Sequence, residues 1–315
     1  MNELANTPLP MRNGIKASYL FLPHDARYNG RSLLEFLCVH FSFVSEQAWR
    51  ARLNSGFVLA QDGTVLTADA LYRAGEKIYY YREISRADEP RIPFDEQILH
   101  IDEHLIVVDK PHFLPVIPSG RFLQETLLTR LRLRPELQHL NVADITPIHR
   151  LDKDTAGVML FSHNRATRGA YQSLFQFKQV HKVYEAIAPT REDLNYPLEV
   201  ASRLQRHAEH FYLTDQVTGE PNAFTTVELI ENRGAHSLYR LNPSTGKKHQ
   251  LRVHMMGLGM PLLNDGLYPV ATAMDVVDYD KPLKLLARSI GFVDPITQQE
   301  RRFESQLQLY SVCIE

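Results

Sequence analysis

Residues 149–157 read His-Arg-Leu-Asp-Lys-Asp-Thr-Ala-Gly, and residues 158–162 continue with Val-Met-Leu-Phe-Ser. The first segment is a cluster of charges that ends in Thr-Ala-Gly, while the second is a short apolar run typical of a buried strand. Asp152 stands between Arg150 and Lys153. A carboxylate buried beside a strand costs several kcal/mol unless a cation pairs with it. We therefore expect a cation from elsewhere in the chain to lie near Asp152.

A second basic cluster could supply that cation. Residues 246–254 read Gly-Lys-Lys-His-Gln-Leu-Arg-Val-His, and the segment around Arg252 is interpreted as a strand. On a strand, His249 and His254 would face opposite sides of the sheet and would not share a metal ion. Asp152 and Asp154 could indicate a Mg²⁺ site instead, which is kept as an alternative.

The composition indicates an ordinary globular protein. The chain has 315 residues, of which 44% are hydrophobic and 23% charged, enough for one large domain or two of ordinary size. Its two cysteines, Cys38 and Cys313, cannot build a disulfide framework. The N-terminus lacks the pattern of a secretory signal, and no apolar run approaches the length of a membrane span. We expect a soluble, cytoplasmic protein without a membrane partner.

The charge distribution is more informative than the net charge. A net charge of −2 disfavours a purely electrostatic RNA binder. Residues 121–182, however, contain ten Lys and Arg against five Asp and Glu. This local excess surrounds the charged motif, although it could also be a solvated helical face.

Residues 149–157 resemble the His-Arg-Leu-Asp-x-x-Thr-Ser-Gly signature of the RluA-type RNA pseudouridine synthases. Further blocks resemble that family's motifs in the same order and extend the likeness over roughly residues 95 to 300. They are an entry strand with a Lys-Pro turn (102–116), the Lys-Val-Tyr motif (182–184), the second basic cluster (246–254) and the element after it (261–268). Ala156, Lys247 and the Leu285-Leu286-Ala287 segment depart from the family pattern, at positions that bear on substrate preference.

The resemblance implies a reaction and the residues that perform it. Pseudouridine formation cleaves the N1–C1′ bond of a uridine, turns the base and rejoins it through C5, so it needs neither a redox cofactor nor a metal. The base must leave its stack to enter a pocket. Asp152 corresponds to the catalytic aspartate, which either attacks C1′ or abstracts a sugar proton. Tyr184 corresponds to the tyrosine that stacks on uracil and assists proton removal, and Arg252 to the arginine that pairs with the aspartate.

The same resemblance assigns substrate contacts. Arg150 would fill the gap left by the extruded base or contact phosphate. Leu251 would form an apolar wall of the uracil pocket, or belong to the core. His149, Thr155 and Lys247 complete the expected substrate-binding set.

The predicted fold is α+β with a mainly antiparallel, mixed sheet, because strands outnumber helices and do not alternate regularly with them. We place a domain boundary near residue 90, within a Pro-rich, charged linker at 85–94. Residues 1–90 resemble the small αL-type RNA-binding module, with an irregular lead-in, helices at 30–43 and after Ser45, a hairpin at 55–66 and a strand at 78–81. Residues 91–315 would form the catalytic domain, including a helix at 122–133.

We therefore expect a monomeric RNA pseudouridine synthase that acts on ribosomal RNA, with tRNA as the alternative target. Two rivals belong to other classes. One is a non-catalytic RNA-binding protein on the same fold, and the other is a metal-dependent phosphoesterase that would be sensitive to EDTA.

Overall fold

Two β-sheets organise the chain in the computed structural model, which describes residues 9–83, 89–271 and 277–309. The smaller sheet consists of β1 (Ser18–Phe21), β2 (Val58–Ala60) and β3 (Lys77–Tyr80), with β3 in the middle. It is accompanied by helices α1 (Leu33–His40) and α2 (Glu46–Asn54). These five elements share one apolar core, which includes Leu37, Trp49 and Ile78.

In this N-terminal part the sequence predicts the two helices well and the strands less well. The Ser45 side chain accepts a hydrogen bond from the Ala48 N–H, which confirms it as the N-cap of α2. Strand β1 lies in the lead-in that was predicted to be irregular, because its pairing with β3 is a long-range contact. The predicted strand at 62–66 is reduced to one bridge between Leu59 and Val65 at a tight turn.

The larger sheet confirms the predicted α+β, mainly antiparallel architecture. Its strands are β4 (Gln97–Ile101), β5 (Leu105–Lys110), β6 (Thr146–Pro147), β7 (Ala156–Ser162), β8 (His181–Pro189), β9 (Leu198–Arg206), β10 (Thr214–Val217), β11 (Ala223–Arg233), β12 (His236–Pro243), β13 (Leu285–Val293) and β14 (Glu300–Glu304). They are arranged in the order β10–β9–β11–β12–β8–β13–β7–β5–β4, with β14 added to β13 and β6 to β7. The β13–β7 pairing is parallel and the others are antiparallel. Helices α3 (Leu127–Leu133), α4 (Arg168–Gln176) and α5 (Gln250–Gly257) connect them.

The predicted linker at 85–94 falls partly outside the described residues, so the domain boundary near 90 stays a prediction. Next to this boundary, the Glu89 carboxylate accepts the N–H groups of Leu123 and Glu125 at 2.5 and 2.8 Å. These bonds hold residues 123–125 in a non-helical conformation. Helix α3 therefore begins at residue 127, five residues later than predicted, with Thr126 as its N-cap.

The prediction of a strand at 249–254 is wrong, since these residues enter helix α5. His249 takes a left-handed conformation, with φ of 54°, and the helix begins directly after it. Leu251 and Met255 are four residues apart and both enter the core between α5 and the sheet, a spacing that fits a helix and not a strand. The change of element decides where the side chain of Arg252 points.

Gly157 permits the close parallel approach of β7 to β13, directly after the charged motif. It has φ of +113°, and a Cβ added there would lie 2.7 Å from the Ala287 nitrogen and closer still to its carbonyl oxygen. We expect Gly157→Ala to destabilise the fold by about 3 kcal/mol, from overpacking and backbone strain together. Urea denaturation would measure the loss. The matched control is Gly169→Ala in α4. A Cβ added at Gly169 would have no neighbouring atom within 4 Å, so alanine should be neutral or stabilising there. Equal stabilities for both variants would contradict the prediction.

Candidate active site

A cavity of about 500 Å³ opens where the loop before β7, strand β8 and the start of α5 meet. This volume is typical of a site for a small molecule or a single nucleotide. All eight residues that the sequence nominated line this one cavity: Asp152, Tyr184, Arg252, Arg150, Leu251, His149, Thr155 and Lys247. Segments separated by about a hundred residues of chain thus converge, as the sequence predicted.

The loop that carries Asp152 is held from two sides. On one side the His149 Nε2 atom accepts the Leu160 N–H at 3.1 Å, and its ring stacks on Phe175 with centroids 4.7 Å apart. Burial lowers the pKa of His149 to about 4, so the ring is neutral and can accept that bond. On the other side the fully buried Lys110 donates from Nζ to three carbonyls, including that of Lys153, each at 2.9 Å. Asp152 is therefore presented on a fixed turn.

The direct pair expected between Arg252 and Asp152 is not formed, which corrects the prediction. The Arg252 guanidinium instead makes two bonds with Asp265, at 2.8 and 2.5 Å, and both side chains are 1% exposed. Helix α5 aims Arg252 at Asp265, which is itself fixed by the backbone N–H groups of Leu267 and Tyr268. Burial opposes the charge on Arg252, but Asp265 and, at longer range, Asp152 raise its pKa overall. Arg252 and Asp152 are therefore within electrostatic range of each other without a direct hydrogen bond.

The His249 side chain lies next to the Asp152 carboxylate. Its Nε2 atom lies 3.9 Å from Asp152 Oδ2, and its Nδ1 atom is 2.9 Å from the Tyr268 hydroxyl. Burial lowers the pKa of His249 to about 4, so at neutral pH it is a neutral neighbour and not an ion-pair partner. The sequence placed His249 inside the basic motif but gave no sign that it faces Asp152, because that depends on its left-handed backbone.

Tyr184 lies in the centre of the large sheet, on β8, with its ring on the cavity wall. Burial and then the Asp152 charge raise the pKa of the Tyr184 phenol. The side chain is therefore protonated at neutral pH. It can stack on a base and donate a hydrogen bond, while proton acceptance by its oxygen would need prior loss of its own proton.

Cations line the mouth of the cavity. The Arg150 guanidinium is exposed and makes no hydrogen bond or ion pair within the described ranges, and Lys247 is also exposed. Two further lysines, which the sequence motifs contain but which were not predicted to belong to the site, also line the cavity. Lys182 donates to the Thr245 carbonyl at 2.8 Å, with its pKa lowered to about 8 by burial, and the second is Lys248. This arrangement fits an anionic RNA backbone at the opening.

Among the residues that the structure covers, no group of three or more His, Cys, Asp or Glu side chains is arranged to hold a metal ion. His254 is buried in a separate network, where its ring nitrogens contact the Ser202 and Thr225 hydroxyls at 2.9 Å. A search of the same residues for a membrane-spanning helix found none of sufficient length and apolar character.

Four buried or half-buried histidines predict a specific dependence of stability on pH. Burial lowers the pKa of His112, His149, His249 and His254 from 6.5 to about 4. Between these two values the unfolded chain binds protons that the folded protein excludes, so the free energy of unfolding should fall as the pH drops from 6.5 to 4. Each histidine contributes up to roughly 3 kcal/mol. Urea denaturation across this range measures how steeply the free energy of unfolding changes with pH. His254→Gln should reduce this slope by the amount that corresponds to one bound proton. A free energy of unfolding that does not change with pH would contradict the assignment.

These features define an enzyme that acts on one nucleotide of an RNA strand: a nucleotide-sized cavity, a carboxylate and a phenol on its wall, and cations at its mouth. The RNA pseudouridylate synthase family model matches residues 104–256. The dual-specificity RNA pseudouridine synthase RluA of Vibrio vulnificus is 30% identical over 217 residues, which are 65% of this chain and 80% of that protein. Ribosomal large subunit pseudouridine synthase D of the same organism is 29% identical over 291 residues, which are 88% and 87% of the two chains.

A solved structure of human RNA pseudouridylate synthase domain containing 4 has a similar fold, with a TM-score of 0.51 and 26% identity over 67% of this chain and 88% of that chain. Against longer plant and human relatives the chain spans 63% and 43% of their length. The chain belongs to the RluA-type RNA pseudouridine synthase family. It is thus an isomerase that converts uridine in RNA to pseudouridine.

Proposed function

We propose that the protein modifies a uridine of ribosomal RNA, with tRNA as the second candidate. The observation that carries the assignment of the site is the convergence of all eight nominated residues on one cavity. Ribosomal RNA is favoured because the Vibrio relative named for the large ribosomal subunit matches 88% of this chain. The dual-specificity relative matches 65% and keeps a second target class open.

In the proposed reaction Asp152 acts on the ribose or base of the extruded uridine. Its turn is clamped by His149 and Lys110, so the carboxylate does not have to reorganise during the reaction. Arg252 lies within electrostatic range of Asp152, but its hydrogen bonds go to Asp265, so the guanidinium does not occupy the Asp152 oxygens.

Tyr184 and Leu251 would form the walls around the uracil ring. The protonated Tyr184 phenol would stack on the base and hydrogen-bond to it as it turns. Arg150, exposed at the opening, would take the place of the base in the RNA stack or contact its phosphate, and the exposed Lys247 would hold the flanking backbone. Thr155 is buried and would border the extruded uridine inside the cavity.

Pseudouridine mapping of total RNA tests this proposal. Cells lacking the protein should lose one or a few sites, which the wild-type chain restores and Asp152→Ala does not. A lost site in tRNA would replace ribosomal RNA as the target. If no site changes while the purified protein binds RNA, the non-catalytic rival is favoured. Inhibition by EDTA would favour the phosphoesterase.

We propose that residues 1–90 form a separate RNA-binding module, and that the protein works as a monomer in the cytoplasm. The N-terminal part has an apolar core of its own, which supports the proposal of a separate module. Sedimentation of the purified protein tests the monomer.

A further inference from the structure

The loop at residues 207–213, which joins β9 to β10, carries an exposed aromatic ring at the rim of the cavity. We call it the Phe211 loop, because Phe211 is 67% exposed there. Lys248 donates to the Phe211 carbonyl at 3.1 Å, and the Arg206 guanidinium carbon lies 5.6 Å from the centre of the Phe211 ring. The reaction proposed above gives these three residues no role.

Lys248 connects this loop to the catalytic centre. It lines the cavity itself. Burial lowers the pKa of Lys248, Asp152 raises it, and Arg150 and Arg206 lower it further, so these charges lie within electrostatic range of one another. The loop therefore borders the cavity that contains Asp152.

The Phe211 loop is held in place by its own hydrogen bonds. His207 Nδ1 accepts the N–H groups of Glu209 and His210 at 3.1 Å each. The Thr214 N–H, at the end of the loop, donates to the Tyr268 hydroxyl at 2.9 Å, and that hydroxyl also contacts His249 beside Asp152. An exposed apolar ring is thus fixed relative to the active site instead of packing into the core.

We propose that the Phe211 loop binds an unpaired nucleotide next to the target uridine. Phe211 stacks on its base, while Arg206 and Lys248 contact the adjacent phosphates. Extrusion of a uridine leaves its neighbours partly unstacked, and an aromatic ring beside cations is the surface that holds such bases. The Phe211 ring packs edge-on against Tyr212, with centroids 5.8 Å apart, and has Arg206 beside it. A small aromatic surface next to a cation fits a nucleotide base better than an apolar protein partner, which would need a larger apolar area. This inference rests on the proposed RNA substrate.

Fluorescence anisotropy with a labelled single-stranded oligouridylate tests the stacking contact. Phe211→Ala should weaken binding at least about fivefold, the lower end of the range for loss of one base–aromatic stack. Phe211→Leu keeps an apolar side chain without a π-face and should be weakened as well, whereas Phe211→Tyr should bind like the wild type. Arg206→Gln should weaken binding and reduce the slope of affinity against salt by roughly one charge.

The control variant is Ile296→Ala, another exposed apolar residue, which lies in the turn between β13 and β14 and should bind RNA as the wild type does. Thermal unfolding of each variant checks that the fold is retained. Wild-type affinity in Phe211→Ala or Phe211→Leu would overturn the inference. So would an equal loss of affinity for a fully paired RNA duplex, which offers no free base. Because binding is measured apart from catalysis, failure here leaves the outcome of pseudouridine mapping untouched, and the reverse also holds.

Discussion

Asp152→Asn should reduce the rate of pseudouridine formation by at least about four orders of magnitude, the scale observed when an essential catalytic side chain is removed. The asparagine has nearly the same shape, so the turn clamped by His149 and Lys110 should persist, while the side chain can neither attack C1′ nor accept a sugar proton. RNA binding should be unchanged. Release of tritium from RNA labelled at C5 of uridine measures the rate.

Asp154→Asn is the matched control for this experiment. Asp154 is a carboxylate of the same loop, with its side chain 3.4 Å from Lys153 and half-buried. Its side chain does not line the cavity, so the variant should keep activity of the same order as the wild type. If Asp154→Asn lost as much activity as Asp152→Asn, the loop as a whole and not the Asp152 carboxylate would be responsible.

Arg252→Met should destabilise the protein by about 3 to 5 kcal/mol, because it leaves the Asp265 carboxylate buried without its partner. Urea denaturation measures the loss, and activity should fall even at temperatures where the variant is folded. The control variant is Arg50→Met, which removes an ion pair with Glu46 whose two side chains are more than half exposed. This variant should change the free energy of unfolding by less than about 0.5 kcal/mol.

A double variant separates stability from catalysis at this pair. In Arg252→Met/Asp265→Asn no charge is left buried, and the asparagine oxygen can still accept the Leu267 and Tyr268 N–H groups. Most of the lost stability should return. Activity should not, because the Arg252 guanidinium is still missing from the surroundings of Asp152. Recovery of both would mean that Arg252 has only a structural role.

The candidate site was predictable to a large extent because its chemistry is concentrated in short motifs. The carboxylate of Asp152, the ring of Tyr184 and the cations of the second basic cluster were nominated from sequence, and all line the same cavity. The sequence did not predict the directions in which the side chains of the second basic cluster point. A run such as residues 249–254 has apolar positions that fit either a short strand or a helix, and only packing against the sheet selects the helix.

The sequence by itself determined the α+β class, the family and the set of side chains proposed to carry the chemistry, since these depend on residue type, order and local periodicity. The tertiary structure decided which charges meet. It directed Arg252 to Asp265 instead of Asp152, placed the neutral His249 beside Asp152, and brought the Phe211 loop to the rim. Each of these contacts joins segments distant in sequence or depends on one backbone angle. The strength of each electrostatic interaction depends on how deeply the groups are buried, which the local sequence does not reveal.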